Sequence, residues 1–194
     1  MLRTSKTFGS WQDLQQKTGG TISHNRMTLD AAQLSQHWRR CSLSSDFWAR
    51  YTSLSSSLFQ TGTPVKREAV ESTISYLLNE LFENCAKFSS GPDRGVVYES
   101  WVYLDRLSFQ VTNHIESPRL DSFIHLIEEM LGQDPGELYF KRLEENAETN
   151  VSGSGLGYLT LMKDYQVKFG FRFTPLKEKN IAVDVQAHIN VKEI

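Results

Sequence analysis

One segment carries most of the information about the fold of this chain of 194 residues: Asn79-Glu80-Leu81-Phe82-Glu83-Asn84-Cys85-Ala86-Lys87-Phe88-Ser89. It closes a run, residues 65–88, in which apolar residues recur at helical spacing, with Pro64 just before it. The pattern predicts a long amphipathic helix that ends at the following Ser-Gly-Pro. Glu80, Asn84 and Lys87 stand at positions i, i+4 and i+7, so their side chains project from one face.

These three residue types suit phosphate chemistry. An amide oxygen such as that of Asn84 can bind a Mg²⁺ ion that keeps most of its water and phosphate ligands. A carboxylate one turn earlier, Glu80, can orient or deprotonate a nucleophile, and Lys87 one turn later can neutralise phosphate charge. The same spacing also fits the solvated face of an amphipathic helix, so this segment alone leaves both interpretations open.

A second segment, Ser152-Gly153-Ser154-Gly155-Leu156-Gly157-Tyr158-Leu159, is rich in glycine. Its glycines would let the backbone approach an anion, and its amides would stand at the start of a helix predicted over residues 156–166. The spacing matches neither the dinucleotide-binding fingerprint nor the P-loop. A flexible connection with a helix cap is the alternative interpretation.

The rest of the chain predicts an α+β fold. Two helices are expected within residues 30–60, with an interruption at 41–45 and Ser45 capping the second. One pair of strands is expected at residues 96–104 and 107–115, around a tight hairpin, and a second pair at 167–173 and 181–189. Two further helices are expected at residues 118–131 and 137–147. This order predicts a two-layer α/β sandwich, a mixed, mostly antiparallel sheet with helices on one face. Residues 1–29 yield no structural prediction, and the domain is expected over residues 30–194.

Composition sets broad limits on function. The chain has 39% hydrophobic and 23% charged residues and a net charge of −2, which argues against a nucleic-acid partner. It contains no apolar run of membrane-spanning length, and its first residues lack a secretory core, so a cytoplasmic protein without membrane contact is expected. Cys41 and Cys85 predict neither a disulfide framework nor a metal site.

Both segments resemble the histidine-kinase-like (GHKL) ATPase superfamily. Residues 84–89 resemble the Asn-Ala-x-Lys-Tyr-Ser type of box in histidine kinases and anti-sigma-factor kinases, and residues 152–159 resemble the second glycine box. From about residue 30 to the end, the chain looks like a cyanobacterial branch of small ATP-binding proteins related to SiaB-type partner-switching kinases. The stretches that carry this narrower resemblance are 34–40, 43–47, 109–113, 134–139 and 154–165. The resemblance implies the Bergerat-type ATPase fold.

The resemblance also implies a site and a role. ATP and Mg²⁺ would be the cofactors, with Asn84 on Mg²⁺ and Glu80 as catalytic base or orienter. Lys87 and the glycines of the second segment, Gly153, Gly155 and Gly157, would hold the phosphates. Thr112 or Asn113 would contact adenine. Residues 111–116 hold neither aspartate nor glycine where the superfamily has an Asp-x-Gly-x-Gly box.

The implied activity is phosphorylation of a serine on a small STAS-domain antagonist protein, opposed by a metal-dependent phosphatase. The alternative is a non-catalytic pseudo-kinase that sequesters its partner. Related anti-sigma kinases and the aromatic N-terminal region further suggest a homodimer.

Overall fold

The computed structural model describes residues 4–15, 20–36, 38–55, 67–89, 95–149, 155–177 and 180–193. The strands are β1 Lys6–Gly9, β2 Ser23–Asp30, β3 Gly95–Val102, β4 Arg106–Glu116, β5 Lys168–Pro175 and β6 Asn180–Asn190. The helices are α1 Ala31–Gln36, α2 Trp38–Ser55, α3 Arg67–Phe88, α4 Leu120–Gly132, α5 Pro135–Thr149 and α6 Leu156–Tyr165. Short 3₁₀ turns at Ser117–Arg119 and Val191–Glu193 follow β4 and β6.

The strands form one six-stranded antiparallel sheet in the order β1-β5-β6-β4-β3-β2. Its core lies between one face of the sheet and the helices. Residues paired across the strands build that face from large apolar side chains, as in the row Phe8, Phe171, Val185, Val111 and Tyr98. The prediction of an α+β protein is confirmed, and the arrangement is compatible with a two-layer sandwich.

Helix α3 is the central helix of the helical layer. Its buried side chains recur every three or four residues, and they are Val70, Thr73, Ile74, Leu77, Leu78, Leu81, Phe82 and Cys85. The Phe82 ring meets the Tyr98 ring of β3 edge-on, with centroids 5.7 Å apart. This apolar stripe explains why the sequence pattern predicted the helix, whose described part runs from Arg67 to Phe88.

The predicted break within the first helical region is wrong in position. Helix α1 ends at Gln36, and α2 runs without interruption through residues 41–45. Ser45 does not cap a helix. Its hydroxyl donates to the Cys41 carbonyl at 2.8 Å and to the Ser42 carbonyl at 2.9 Å within the same helix. A serine that bonds to its own preceding turn is compatible with a helix interior, which the sequence pattern did not reveal.

Residues 1–29 contribute two strands that the sequence did not predict, and both belong to the same sheet as the strands of the expected domain. β1 pairs with β5 at one edge of the sheet, and β2 pairs with β3 at the other. Gly9 has a φ of +62°, and there the chain leaves β1. Residues 10–14, which we call the strap, then cover the face of the sheet opposite the helices.

Polar side chains of the sheet hold the strap. Gln186 of β6 is fully buried and binds both backbone groups of Gln12, accepting from its N–H at 2.9 Å and donating to its carbonyl at 2.8 Å. The His188 Nε2 atom lies 3.1 Å from the Ser10 carbonyl oxygen. The guanidinium of Arg172 lies 4.5 Å from the centroid of the Trp11 ring. The strap is therefore held mainly by polar groups, with one small apolar cluster of Leu14, Trp101 and Tyr103, whereas the face beneath the helices is apolar.

Candidate functional site

The two sequence segments that predicted a site meet where the middle of α3 faces the start of α6. Gly157, in the first turn of α6, lies against the carboxylate of Glu80. A methyl group at position 157 would stand 1.9 Å from Glu80 Oε2 and 2.4 Å from its Cδ atom. Any larger residue at 157 must therefore displace the Glu80 side chain, so the glycine permits this close approach.

The environment of Glu80 disfavours its charged form. Burial raises the pKa of the Glu80 carboxyl above its usual range, and the negative charge of Glu83 raises it further, while Lys87 acts in the opposite direction. A raised pKa makes the ionised carboxylate a stronger proton acceptor than an ordinary glutamate. The positive end of α6, beside which the carboxylate lies, acts in the opposite direction, as Lys87 does.

Asn84 lies one turn further along the same face of α3 and is tied to α6. Its side-chain amide is hydrogen-bonded to the hydroxyl of Tyr158, whose pKa burial raises well above its usual range. The Tyr158 ring packs on Phe169 and Phe171 of β5, with centroids 4.8 Å and 6.3 Å away. Tyr158 thus connects the Asn84 amide to the aromatic core of the sheet.

Lys87 is on the predicted helix but does not point to a shared site with Glu80 and Asn84. Its side chain is exposed, and its Nζ atom lies 3.3 Å from Glu83 Oε2. The other Glu83 oxygen accepts from Asn79 Nδ2 at 2.8 Å. Glu83 therefore holds Lys87 to the neighbouring face of the helix.

Thr112 and Asn113 lie on opposite faces of the sheet, because successive strand residues alternate. Asn113 is buried on the side of the helices, and its Nδ2 atom donates to the Ser89 hydroxyl at 3.3 Å, beside the end of α3. Thr112 lies on the strap side, where its hydroxyl donates to Asp184 at 2.6 Å. Of the two residues predicted near adenine, the structure thus places Asn113 on the side of the helices and Thr112 on the opposite side.

The predicted glycine loop is described only in part. Gly153 lies outside the described residues. Gly155 precedes α6 with a φ of +99°, a backbone conformation that residues other than glycine rarely adopt. A methyl group there would meet no atom within 4 Å. Gly155 therefore serves the backbone turn into α6, whereas Gly157 serves the contact with Glu80.

Two tyrosines of the site were missed by the sequence interpretation. Tyr76 stands one turn before Glu80 and is hydrogen-bonded to Thr160 of α6; burial raises its pKa, and the Glu80 charge adds to this effect. Its spacing from Glu80 and Asn84 continues the same helical face, so the i, i+4, i+8 pattern could have revealed it. Tyr158 stood within the quoted glycine segment, directly after its last glycine, but was given no role.

The adjacent side of α3 borders an open polar cleft of about 590 Å³ between α2 and α3. Serines and carboxylates predominate among its lining residues, which are Ser42, Ser45, Asp46, Ala49, Arg50, Glu71, Ser72, Ser75, Tyr76, Asn79 and Glu83. Hydrogen bonds join its two walls, from Ser75 to Asp46 and from Ser53 to Glu71. The cleft therefore adjoins the Glu80 site through α3 but does not contain Glu80 or Asn84.

Within the described ranges, no group of three or more histidine, cysteine, aspartate or glutamate side chains could hold a metal ion. A metal bound by one amide and by phosphate oxygens requires no such group. None of the helices in the described part of the chain is long and apolar enough to cross a membrane.

Comparison with known proteins adds no relative to these observations. No protein-family model matches the chain, and no curated protein matches it.

Replacing Glu80 with glutamine should raise the melting temperature at pH 7. The pKa of Glu80 is raised in the folded chain, so the ionised carboxylate destabilises the fold once the pH exceeds the unfolded value of about 4.3. The gain should shrink as the pH falls and vanish below about pH 4, where both states are protonated. Thermal unfolding of Glu80→Gln and wild type across this pH range measures it.

Glu68→Gln on the same helix is the matched control. Glu68 is exposed in the first turn of α3, where a negative charge is favourable, so its replacement should give no gain at pH 7. An equal change in melting temperature for Glu80→Gln at both ends of the pH range would contradict the assignment of a raised pKa.

Proposed function

We propose that this chain is a histidine-kinase-like ATPase of the Bergerat type that binds Mg-ATP between α3 and the start of α6. We further propose that it acts in the cytoplasm as a serine kinase on a small STAS-domain protein, within a bacterial partner-switching system that also contains an opposing metal-dependent phosphatase. The observation that carries the proposal is the contact between Gly157 and Glu80. This contact brings together the two sequence segments, each of which resembles a different motif of this superfamily.

The residues of the site would share the work in a defined way. The Asn84 amide would bind Mg²⁺, and the amides at the start of α6, after Gly155, would hold phosphate oxygens. Bound ATP supplies the phosphoryl group and its electrophilic phosphorus. Glu80, with its raised pKa, is suited to accept the proton of an incoming serine hydroxyl. Lys87 would have to leave Glu83 before it could neutralise phosphate charge.

The residues that would hold the phosphates and the metal lie close together, whereas the adenine end offers few polar groups. On the helix side of β4, Asn113 offers only a neutral amide, and its Nδ2 atom already donates to Ser89. Neutral hydrogen bonds are weaker than those of a carboxylate, so recognition of the adenine amino group would be weak. We therefore expect the phosphates and the metal to supply most of the affinity.

A non-catalytic binding module is the second candidate, and two contacts favour it. The Glu80 carboxylate stands beside the first turn of α6, where a phosphate would bind. The Asn84 amide is engaged by Tyr158. Both side chains would have to yield to Mg-ATP, whereas a pseudo-kinase that only sequesters a partner could keep them as they are.

Calorimetry with Mg-ATP separates the two candidates. Under the kinase proposal, wild type binds with a sub-millimolar dissociation constant, and Asn84→Ala weakens binding by about tenfold or more because a metal ligand is lost. Asn79→Ala is the matched control, since Asn79 is on the same helix but its amide points to Glu83. It should bind as wild type does.

No heat with wild type, or equal loss in both asparagine variants, would overturn the nucleotide site. Transfer of radiolabelled phosphate from ATP to a serine of a STAS-domain partner then tests the kinase. A partner that forms a complex with the chain but gains no label would overturn the kinase activity in favour of the binding module.

A further inference from the structure

The strap is bound to the sheet chiefly through its backbone groups. The Ser10 N–H donates to the Phe169 carbonyl at 2.8 Å, and the Ser10 carbonyl oxygen lies 3.1 Å from His188 Nε2. The Gln186 side chain binds both the N–H and the carbonyl of Gln12. Every residue except proline offers the same backbone groups, so these contacts would hold an extended peptide of almost any sequence.

Two side chains of the strap make contacts that depend on residue type. The Trp11 ring centroid lies 4.5 Å from the guanidinium of Arg172, which is a cation–π contact. Leu14 is buried in a small apolar cluster with Trp101 and Tyr103. In extended peptides, backbone hydrogen bonds supply affinity and side-chain pockets supply specificity. This surface therefore selects an aromatic residue that is followed three positions later by an aliphatic one.

The strap crosses the sheet in a nearly extended conformation. It begins over β5 and reaches Trp101 of β3 with Leu14, so it passes three strand spacings, or about 14 Å. The four residue steps from Ser10 to Leu14 span at most about 14 Å when fully extended. Gly170 of β5 allows this path, because it places no side chain between the sheet and the strap backbone. The surface thus fits an extended segment and not a helix.

The strap leaves one polar group beside it unsatisfied. Tyr103, which packs against Leu14, is 4% exposed, and its hydroxyl is buried without a hydrogen-bond partner in the part of the chain that the structure describes. An unpaired buried hydroxyl lowers the stability of the arrangement that contains it. The strap is therefore an incomplete occupant of this surface.

The strap can leave the sheet without breaking the strand pairing. The pairing of β1 with β5 ends at Gly9 and Gly170, before the strap begins. Trp11 and Gln12 are only half-buried, and Asp13 is exposed. Segments with few buried contacts open locally at a lower free energy than the whole fold.

We propose that the strap occupies a docking site for an extended segment of a partner protein, which displaces the strap and binds across the same face of the sheet. The segment carries an aromatic residue that packs on Arg172 and, three positions later, an aliphatic residue that packs on Trp101 and Tyr103. Because this face lies opposite the helices, a bound partner leaves the Glu80 site open. The proposal does not depend on nucleotide binding.

Fluorescence anisotropy of a labelled peptide tests the docking site in the full chain. The peptide copies residues 9–15, Gly-Ser-Trp-Gln-Asp-Leu-Gln. The tethered strap competes with it at a high effective concentration, which weakens its binding to wild type. Trp11→Ala should bind the peptide at least tenfold more tightly, because the strap loses its contact with Arg172. Asp13→Ala is the matched control, since Asp13 is exposed on the same strap, and it should bind as wild type does.

Leu14→Ala loosens the other end of the strap and should also tighten binding of the peptide. Circular dichroism confirms that each variant is folded. A second peptide, in which alanine replaces both tryptophan and leucine, should bind at least tenfold more weakly to either variant. Equal binding of the first peptide to wild type, Trp11→Ala and Leu14→Ala, or no binding to any of them, would overturn the proposal.

A substitution in the sheet locates the bound peptide. In the Trp11→Ala chain, Arg172→Lys keeps a positive charge near Asp184, which Arg172 Nε contacts at 2.8 Å, but removes the planar group that packs on the tryptophan ring. It should weaken peptide binding about threefold or more. Arg119→Lys, at an exposed position after β4, should have no effect. Equal affinities of the two lysine variants would place the peptide elsewhere and overturn the docking site.

Sedimentation velocity distinguishes a partner segment from the strap of a second copy. Under the proposal, wild type and Trp11→Ala have the same molar mass in solution, because each strap stays on its own chain until a partner displaces it. A wild-type dimer that Trp11→Ala dissociates would show that two copies exchange their straps. That result would overturn the partner segment as the occupant of the site.

Discussion

Replacing Gln186 with leucine should lower the free energy of unfolding by roughly 3–5 kcal/mol. Leucine has a similar size, but it removes three hydrogen bonds, two to the backbone of Gln12 and one to Gln110 Oε1 at 2.9 Å. Each buried donor or acceptor left without a partner costs about 1–3 kcal/mol. Urea unfolding followed by circular dichroism measures the loss.

The same substitution should also release the strap. Hydrogen exchange of the peptide spanning residues 8–15 should be much faster in Gln186→Leu than in wild type, because Gln12 loses its anchor. Gln133→Leu is the control, since Gln133 is exposed at the end of α4 and surface changes usually stay within about 0.5 kcal/mol. A Gln186 variant as stable as the control would show that the strap is not held by this side chain.

The helices and strands that face the main core could be predicted from the sequence, because their apolar residues follow the period of the element. The stripe of α3 and the β-branched and aromatic runs of β3 to β6 are of this kind. β2 gave no such signal. Its residues alternate between half-buried and exposed, and the strand lies at an edge of the sheet. The four residues of β1 at the other edge are too few to show a period.

The strap could not be predicted for a different reason. Its partners are polar residues from distant parts of the chain, such as Gln186 and Arg172, and they contact the strap through side chains rather than through a repeated backbone pattern. Hydrophobic periodicity carries no information about hydrogen bonds between residues separated by more than 150 positions. Only the folded sheet brings these groups under residues 10–14.

Helical spacing predicted which residues of the candidate site lie on one face of α3. Glu80 and Asn84 share a face of α3 because they are four residues apart, and that face does meet the second segment at Gly157. Three features lay beyond such reasoning. The pairing of Lys87 with Glu83, the engagement of Asn84 by Tyr158 and the direction of Thr112 all depend on which neighbours compete for each side chain.

The close approach of the strap to the sheet leads to the second large effect, at Gly170 of β5. A methyl group there would lie 2.6 Å from the Trp11 nitrogen, 2.7 Å from its Cα atom and 2.8 Å from the Ser10 carbonyl carbon. These are backbone atoms, which cannot turn away as the end of a side chain can. We expect Gly170→Ala to lower the free energy of unfolding by about 3 kcal/mol, in the upper part of the range for overpacked positions.

Gly132→Ala, at the end of α4, is the matched control for Gly170→Ala. A methyl group at Gly132 meets no atom within 4 Å, so the substitution should be neutral or raise stability by up to about 1 kcal/mol, because alanine loses less backbone freedom on folding. The two alanine variants should therefore differ in urea midpoint, with faster hydrogen exchange in residues 8–15 of Gly170→Ala alone. Equal midpoints would mean that the strap lies further from β5 than these distances indicate. Its attachment would then depend on the side chains of Gln186 and His188, not on close backbone packing.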